Sequence, residues 1–227
     1  MPRWFHATAE SADPTAATQT LFFTATFAVM GHMAKSDGQV SAKEIRMAEQ
    51  VMDRLMLDRA RRHFAQGLFR LGKRPDFPLA DVLEQLRRAS RSRDLRRMFL
   101  EIQVFAAYAD GSIHSAERSI LDRICTQLGF DAATLAQVEQ LVRAELGAAG
   151  DAARPPGGHS LAEDYALLGV SDTAEMHTVK RAYRRLMSQH HPDRLISRGL
   201  PEEMIKLATS KTQSIKAAYE RIRGARS

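Results

Sequence analysis

The chain of 227 residues contains a single cysteine. Cys125 can form no disulfide within the chain. It also excludes a cysteine-based zinc site built by one molecule, and it suits a reducing compartment. In "SILDRICTQLG" it shares a helical face with Ile120, Leu121, Ile124 and Leu128, which predicts a buried, inert thiol rather than a nucleophile. Aromatic residues are scarce at 7%, so the core must rest on Leu, Ile, Val, Met and Ala. No run alternates with period two for long enough to be a strand. The N-terminus lacks the apolar and basic regions of a secretory signal. One segment, Pro14 to Ala34, carries no formal charge over a length that could span a bilayer. Its five Thr, its Gln and its His dilute the hydrophobicity, and the segment is expected to be the buried first helix of a bundle.

What the chain does contain is helical. "EIRMAEQVMDRLML" sets Ile45, Ala48, Val51, Met52 and Leu55 on one face, and "LRRMFLEIQVFAAYAD" is apolar nearly all round, as a central helix would be. About seven such patterns are expected between residues 17 and 146. Residues 1–16 are small and polar and are expected to be disordered. The stretch "GAAGDAARPPGGHS", residues 147–160, cannot bury anything and reads as a flexible linker. Two further helical patterns follow within residues 161–224. The fold class expected is all-α, with two helical domains. The net charge of +6 and isoelectric point near 9.8 imply an acidic partner, which composition alone leaves open between nucleic acid, a membrane surface and a protein.

A repeat marks the first domain. "DGQVSAKE" and "DGSIHSAE" share the pattern D-G-x-V/I-x-x-x-E, too far apart for a solenoid period, so a duplicated helix–turn–helix unit is expected. As turn chemistry, Gly38 and Gly111 close one helix, Val40 and Ile113 cover the cap, and Ser41 with Glu44 forms a capping box for the next. As metal chemistry, Asp37, Glu44, Asp110 and Glu117 converge on a divalent cation that prefers oxygen ligands. The spacing is not that of an EF-hand loop.

The second motif is "MSQHHPDRLISRGLP". Before it, Asp172 or Thr173 can cap a helix with Glu175 in its first turn, whose Met176, Val179, Tyr183, Leu186 and Met187 face inward. Lys180, Arg181, Arg184 and Arg185 form a cationic ridge on the other side. After it, Pro201 is expected to start a helix with an apolar stripe of Met204, Leu207, Ala208, Ile215, Ala218 and Ile222. Two antiparallel helices then flank a loop, "HPDRLISRGL". Catalysis by His191 lacks a nucleophile, and His190 with His191 lacks a third metal ligand. His191-Pro192-Asp193 is instead a stiff presentation of a carboxylate beside the ridge. It suits a partner with an acidic patch and an exposed arginine.

Two resemblances follow from these residues. Residues 18–146, with the repeat and the preceding "FAVMGHMAKSDG", resemble the TerB-like domain, in which the acidic pair has been linked to divalent metal. From Leu161 to about Gly224 the chain resembles a J domain, through "DYALLGVS", "VKRAYRRL", "HPD" and "KAAYERI". That resemblance implies a cochaperone rather than an enzyme, one that stimulates ATP hydrolysis by Hsp70 (DnaK). His191, Pro192, Asp193 and Arg194 would contact the partner, and Lys180, Arg181, Arg184 and Arg185 would dock on an acidic face. It also implies a core of Tyr165, Leu168, Val179, Tyr183, Leu186, Ile215, Ala218 and Tyr219. The order of the two domains is similar to that of DjlA-type bacterial cochaperones, which usually begin with a membrane-spanning helix not seen here. A cytoplasmic chain is expected, or one at the cytoplasmic face of the inner membrane if an upstream anchor has been lost. The expected partners are Hsp70 and a client, with a homodimer as a further expectation. Nucleic acid is not expected, because there are few aromatics to stack bases. No cofactor is expected unless the acidic repeat binds metal, in which case a metal-responsive stress protein is the rival reading.

Overall fold

A computed structural model describes residues 13–36, 42–108, 112–150 and 160–226. Among these there are eleven α-helices and no strand. The uncharged segment forms α1 (Pro14–Ala34). Asp13 caps it, its carboxylate accepting from the Thr15 N–H at 2.8 Å, and Pro14 opens it where no N–H is needed. Nearly every later residue of α1 is buried. The threonines tolerate this because their hydroxyls donate back to the preceding turn, as Thr26 does to the Phe22 carbonyl at 2.8 Å. No helix among the described residues is long and apolar enough to cross a membrane.

Around α1 lie α2 (Ala42–Arg54), α3 (Arg59–Gly72), α4 (Leu79–Ala89), α5 (Arg93–Ala107), α6 (Ser115–Gln127) and α7 (Ala132–Gly150). The α1/α3 crossing is the tightest. A Cβ on Gly31 would stand 2.0 Å from the Phe69 carbonyl oxygen, and one on Gly72 would stand 1.8 Å from that of Ala28. From Leu95 onward α5 is almost wholly buried, its Phe99 meeting Phe22 edge to face at 5.7 Å. Cys125 is buried as expected, its thiol donating to the Asp131 carbonyl and its pKa pushed up by burial. The helix of α7 continues through Gly147 to Gly150, so the Gly/Pro/Ala stretch begins as helix. Residues 151–159 lie outside the described residues.

The C-terminal half comprises α8 (Leu161–Leu168), α9 (Met176–His190), the short α10 (Pro192–Ile196), a 3-10 turn (Glu202–Met204) and α11 (Ile205–Ala225). Ser160 and Glu163 cap α8 reciprocally, and Gly169, at φ +66, closes it in the left-handed conformation. Tyr165, Leu168, Val179, Leu186, Ile215, Ala218 and Tyr219 are buried together, and Tyr183 stacks on Tyr219 at 4.3 Å. Asp164 is clamped by the Arg221 guanidinium, one bond measuring 2.8 Å.

Four local expectations are corrected. Residues 14–16, expected to be disordered with the rest of the N-terminal segment, open α1, because Asp13 caps the helix there. Glu175, not Asp172 or Thr173, occupies the cap of α9, because Thr173 is held in a preceding turn by Ser171. The segment after His191 is not a bare loop, since Pro192 starts a turn of helix. Pro201 precedes the 3-10 turn, and α11 begins only at Ile205.

The two halves share a core. Leu195, Leu200, Met204 and Ala208 pack into the cluster built by α1–α7, while Leu141 of α7 belongs to the C-terminal cluster. Gly199, at φ +96, lies so close to α1 that a Cβ there would come within 2.6 Å of Thr18 Cγ2. Gln19 donates to the Leu200 carbonyl, Arg61 pairs with Glu203 at 2.9 Å, and Arg198 pairs with Asp94 at 2.6 Å.

Candidate functional site

The amphipathic pattern of α9 positions the site. Val179, Ala182, Leu186 and His190 face inward, and Lys180, Arg181, Arg184 and Arg185 are exposed on the opposite side. None of these four cations forms an ion pair with a described carboxylate. Desolvation, and then the charges of Arg97 and Arg181, lower the pKa of Arg185. An unpaired like-charged ridge is a standing field for an anionic surface.

The ridge ends at the HPD sequence. His191, at φ −61 and ψ 122, both closes α9 and caps α10. Pro192 occupies the first position of α10, and Asp193 stands in its first turn, where the helix dipole favours a carboxylate. His191 and Asp193 are exposed, and neither side chain bonds to a described residue. Behind them Leu195 is fully buried in the N-terminal core, and Arg194 reaches Ser188 and, at 3.7 Å, Asp94. Of the residues expected on this surface, the four cations, His191, Asp193 and Arg194 are exposed and Pro192 is half-buried.

The adjacent histidines diverge. His190 is 1% exposed and turns inward. Its Nδ1 faces the Leu186 carbonyl at 2.9 Å, and its Nε2 lies 3.0 and 3.1 Å from the two oxygens of Glu101 on α5. Acceptors thus face both ring nitrogens. Glu101 is itself 2% exposed and also accepts from Lys211 Nζ at 2.6 Å and Arg97 Nε at 3.1 Å. Burial alone would raise its pKa, but the charges of His190, Lys211 and Arg97 and the His190 hydrogen bond hold it well below the ordinary value. Lys211, which pairs with Glu145 as well at 3.3 Å, is raised because the two carboxylates outweigh desolvation. This network was missed in the sequence. Its only signals are a lone Glu in the apolar run "MFLEIQVFAA" and a His on the apolar face of α9.

Of the proposed metal ligands, Asp37, Asp110 and the side chain of Glu44 lie outside the described residues, as do Gly38, Val40, Ser41 and Gly111. Glu117 is buried and accepts from the His114 N–H at 2.9 Å, the turn chemistry expected of a capping box. Among the described residues no cluster of three or more His, Cys, Asp or Glu could hold a metal.

Comparison with known proteins agrees with this geometry. Residues 23–140 match the family described as tellurite resistance protein TerB, and residues 163–224 match the DnaJ domain. The co-chaperone protein DjlA of Photorhabdus laumondii is 46% identical over 216 residues, covering 90% of this chain and 79% of that protein. The DjlA proteins of Vibrio cholerae and Escherichia coli K12 are 43% and 44% identical, each covering 90% of this chain and 78% and 79% of theirs. No solved structure matches. A TerB domain whose core receives the turn behind an exposed HPD sequence, at this level of identity over most of both chains, makes the chain a member of the DjlA co-chaperone family.

Proposed function

We propose that the chain is a cochaperone of a DnaK-type Hsp70, stimulating ATP hydrolysis by its partner and catalysing no reaction itself. The observation that carries this reading is an exposed, unpaired Asp193 carboxylate at the end of an exposed, unpaired cationic ridge, both fixed by a buried helix pair. Lys180, Arg181, Arg184 and Arg185 dock on an acidic face of the Hsp70. Asp193 pairs with an arginine there, where the two parallel bonds of a carboxylate–guanidinium pair give direction as well as affinity. Activation is allosteric: the surface binds the hydrolysis-ready arrangement of Hsp70 more tightly and shifts the population toward it. Because the partner consumes ATP, the site works on the cytoplasmic side. In single-turnover ATP hydrolysis by the Hsp70, the wild-type chain stimulates and His191→Gln and Asp193→Asn do not. Equal stimulation by wild type and both variants would sink the proposal.

The TerB domain, on this reading, supplies client, location or signal specificity. A broad apolar client face is not its means among the described residues, whose exposed large apolar side chains in this half are Met56 and Phe64, 70% and 46% exposed. A cleft of about 360 Å³ between α5 and α11 fits better, lined by the apolar Met98, Ile102, Phe105 and Leu207 and by the cations Arg54, Lys206 and Lys211. Lys206→Glu is expected to keep stimulation of Hsp70 alone and to lose support of client refolding by Hsp70. Unimpaired refolding would remove the cleft from the account.

A further inference from the structure

Four elements meet in the buried network: α5 supplies Glu101 and Arg97, α7 supplies Glu145, α9 supplies His190, and α11 supplies Lys211. Two of these elements belong to the TerB domain and two to the J domain. A buried ion network stabilises poorly against an apolar packing of the same shape, because its groups must be desolvated. It can discriminate between arrangements, since a docking that kept Glu101 buried but moved His190 or Lys211 away would leave its charge unpaired. His190 is the last residue of α9 and is bonded directly to His191. Three more contacts fasten the same segment to the TerB domain: Leu195 in its core, Arg198 on Asp94, and Gly199 against Thr18. The outward face of the segment, His191 and Asp193, is left open.

We propose that the TerB domain is a brace for the HPD segment, with Glu101 as a positioning residue that acts through His190. Glu101 never meets the Hsp70. It fixes the end of α9, so that the turn into α10 leaves with Asp193 facing outward, and the contacts of Leu195 and Arg198 hold the far side. Loosening the brace lets the segment sample orientations that cannot dock. The apparent affinity for Hsp70 then falls by the fraction of time the segment is competent, while the maximal stimulation survives. The inference rests on the cochaperone reading above and deepens it.

The test uses the full chain. Glu101→Gln removes the charge. Glu101→Met with Lys211→Met removes the paired charges of Glu101 and Lys211 together and nearly keeps the volume, so that neither is left buried without the other. Val82→Ala, in the TerB core on α4, is the control for stability alone. Two quantities are read: the chain concentration giving half-maximal stimulation of Hsp70, and hydrogen exchange at the Leu195, Ser197 and Arg198 amides, which bond to the His191, Asp193 and Leu195 carbonyls. If the competent population falls to about a tenth, both Glu101 variants raise the half-saturating concentration about tenfold at unchanged maximum. They also speed exchange at these three amides and spare the middle of α11. Val82→Ala changes neither quantity at an equal loss of melting temperature. A folded double variant with wild-type exchange and wild-type half-saturation overturns the brace, and so does a control that moves both readouts equally. If the wild-type chain itself fails to stimulate Hsp70, the cochaperone reading falls instead, and exchange alone decides whether Glu101 orders the segment.

Discussion

Replacing Gly31 by alanine tests the packing that holds the TerB domain together. The new Cβ would stand 2.0 Å from the Phe69 carbonyl oxygen, where ordinary contact begins at 3.4 Å. The obstacle is backbone inside a helix, so no side chain can swing away, and α1 and α3 must part by more than an ångström. Overpacking of this kind costs about 1–3 kcal/mol. A gap of that size along the rest of the seam forfeits at least a quarter to a half of each dispersion contact there. The sum is a destabilisation of roughly 3 kcal/mol, read as a shift in the urea midpoint at constant slope. The reciprocal position gives an internal check. Gly72→Ala meets the Ala28 carbonyl at 1.8 Å across the same crossing. Once one alanine has pushed the helices apart, the second finds the space partly open. The double variant should therefore cost clearly less than the two singles added, a coupling expected only of residues that share a contact. A loss below about 1 kcal/mol for Gly31→Ala, or strict additivity, would refute the reasoning.

Acid stability should depend on Glu101. Its folded pKa lies below the ordinary 4.5, so the stability it contributes is complete above that value and is lost as pH falls toward the lowered one. Acid titration of the urea midpoint should therefore show a decline below about pH 5 that Glu101→Met with Lys211→Met flattens, and identical profiles would contradict it. Docking through the cationic ridge should weaken with salt. Arg181→Ala and Arg184→Ala should each raise the half-saturating concentration for Hsp70 stimulation by roughly two- to fivefold and reduce its salt dependence. Stimulation that is indifferent to ionic strength would remove the ridge from the docking surface.

Much of this was legible in the sequence because it is local. The seven helices among the described residues up to Gly150, the burial of α1 and the outward face of α9 are matters of period and of missing charge. The HPD segment was legible as a stiff carboxylate because proline restricts itself and its neighbour. What escaped was either too short or too distant. The five residues of α10 span little more than one turn, too few for a periodic pattern. Its helical form depends on Leu195 reaching a core built by another domain. The true cap of α9 escaped because Asp172 and Thr173 are good capping residues that the preceding turn engages first.

The pair His190–His191 shows where sequence reasoning misassigns weight. Side by side the two invite a joint role, yet the backbone turns them apart, one into solvent and one to a buried carboxylate 89 residues away in the chain. That carboxylate explains why His190 is not apolar. A leucine there would pack as well against Leu186, but it would leave the buried Glu101 with fewer donors. Conversely, an apolar residue at Glu101 would leave Lys211 buried beside Glu145 alone. Each member of the network is therefore tolerable only with the others. All of them are satisfied in the one docking of the two domains that also turns Asp193 outward. On the brace proposal, the cost of burying these charges selects an orientation, and the surface that the orientation exposes is the one proposed to meet the partner.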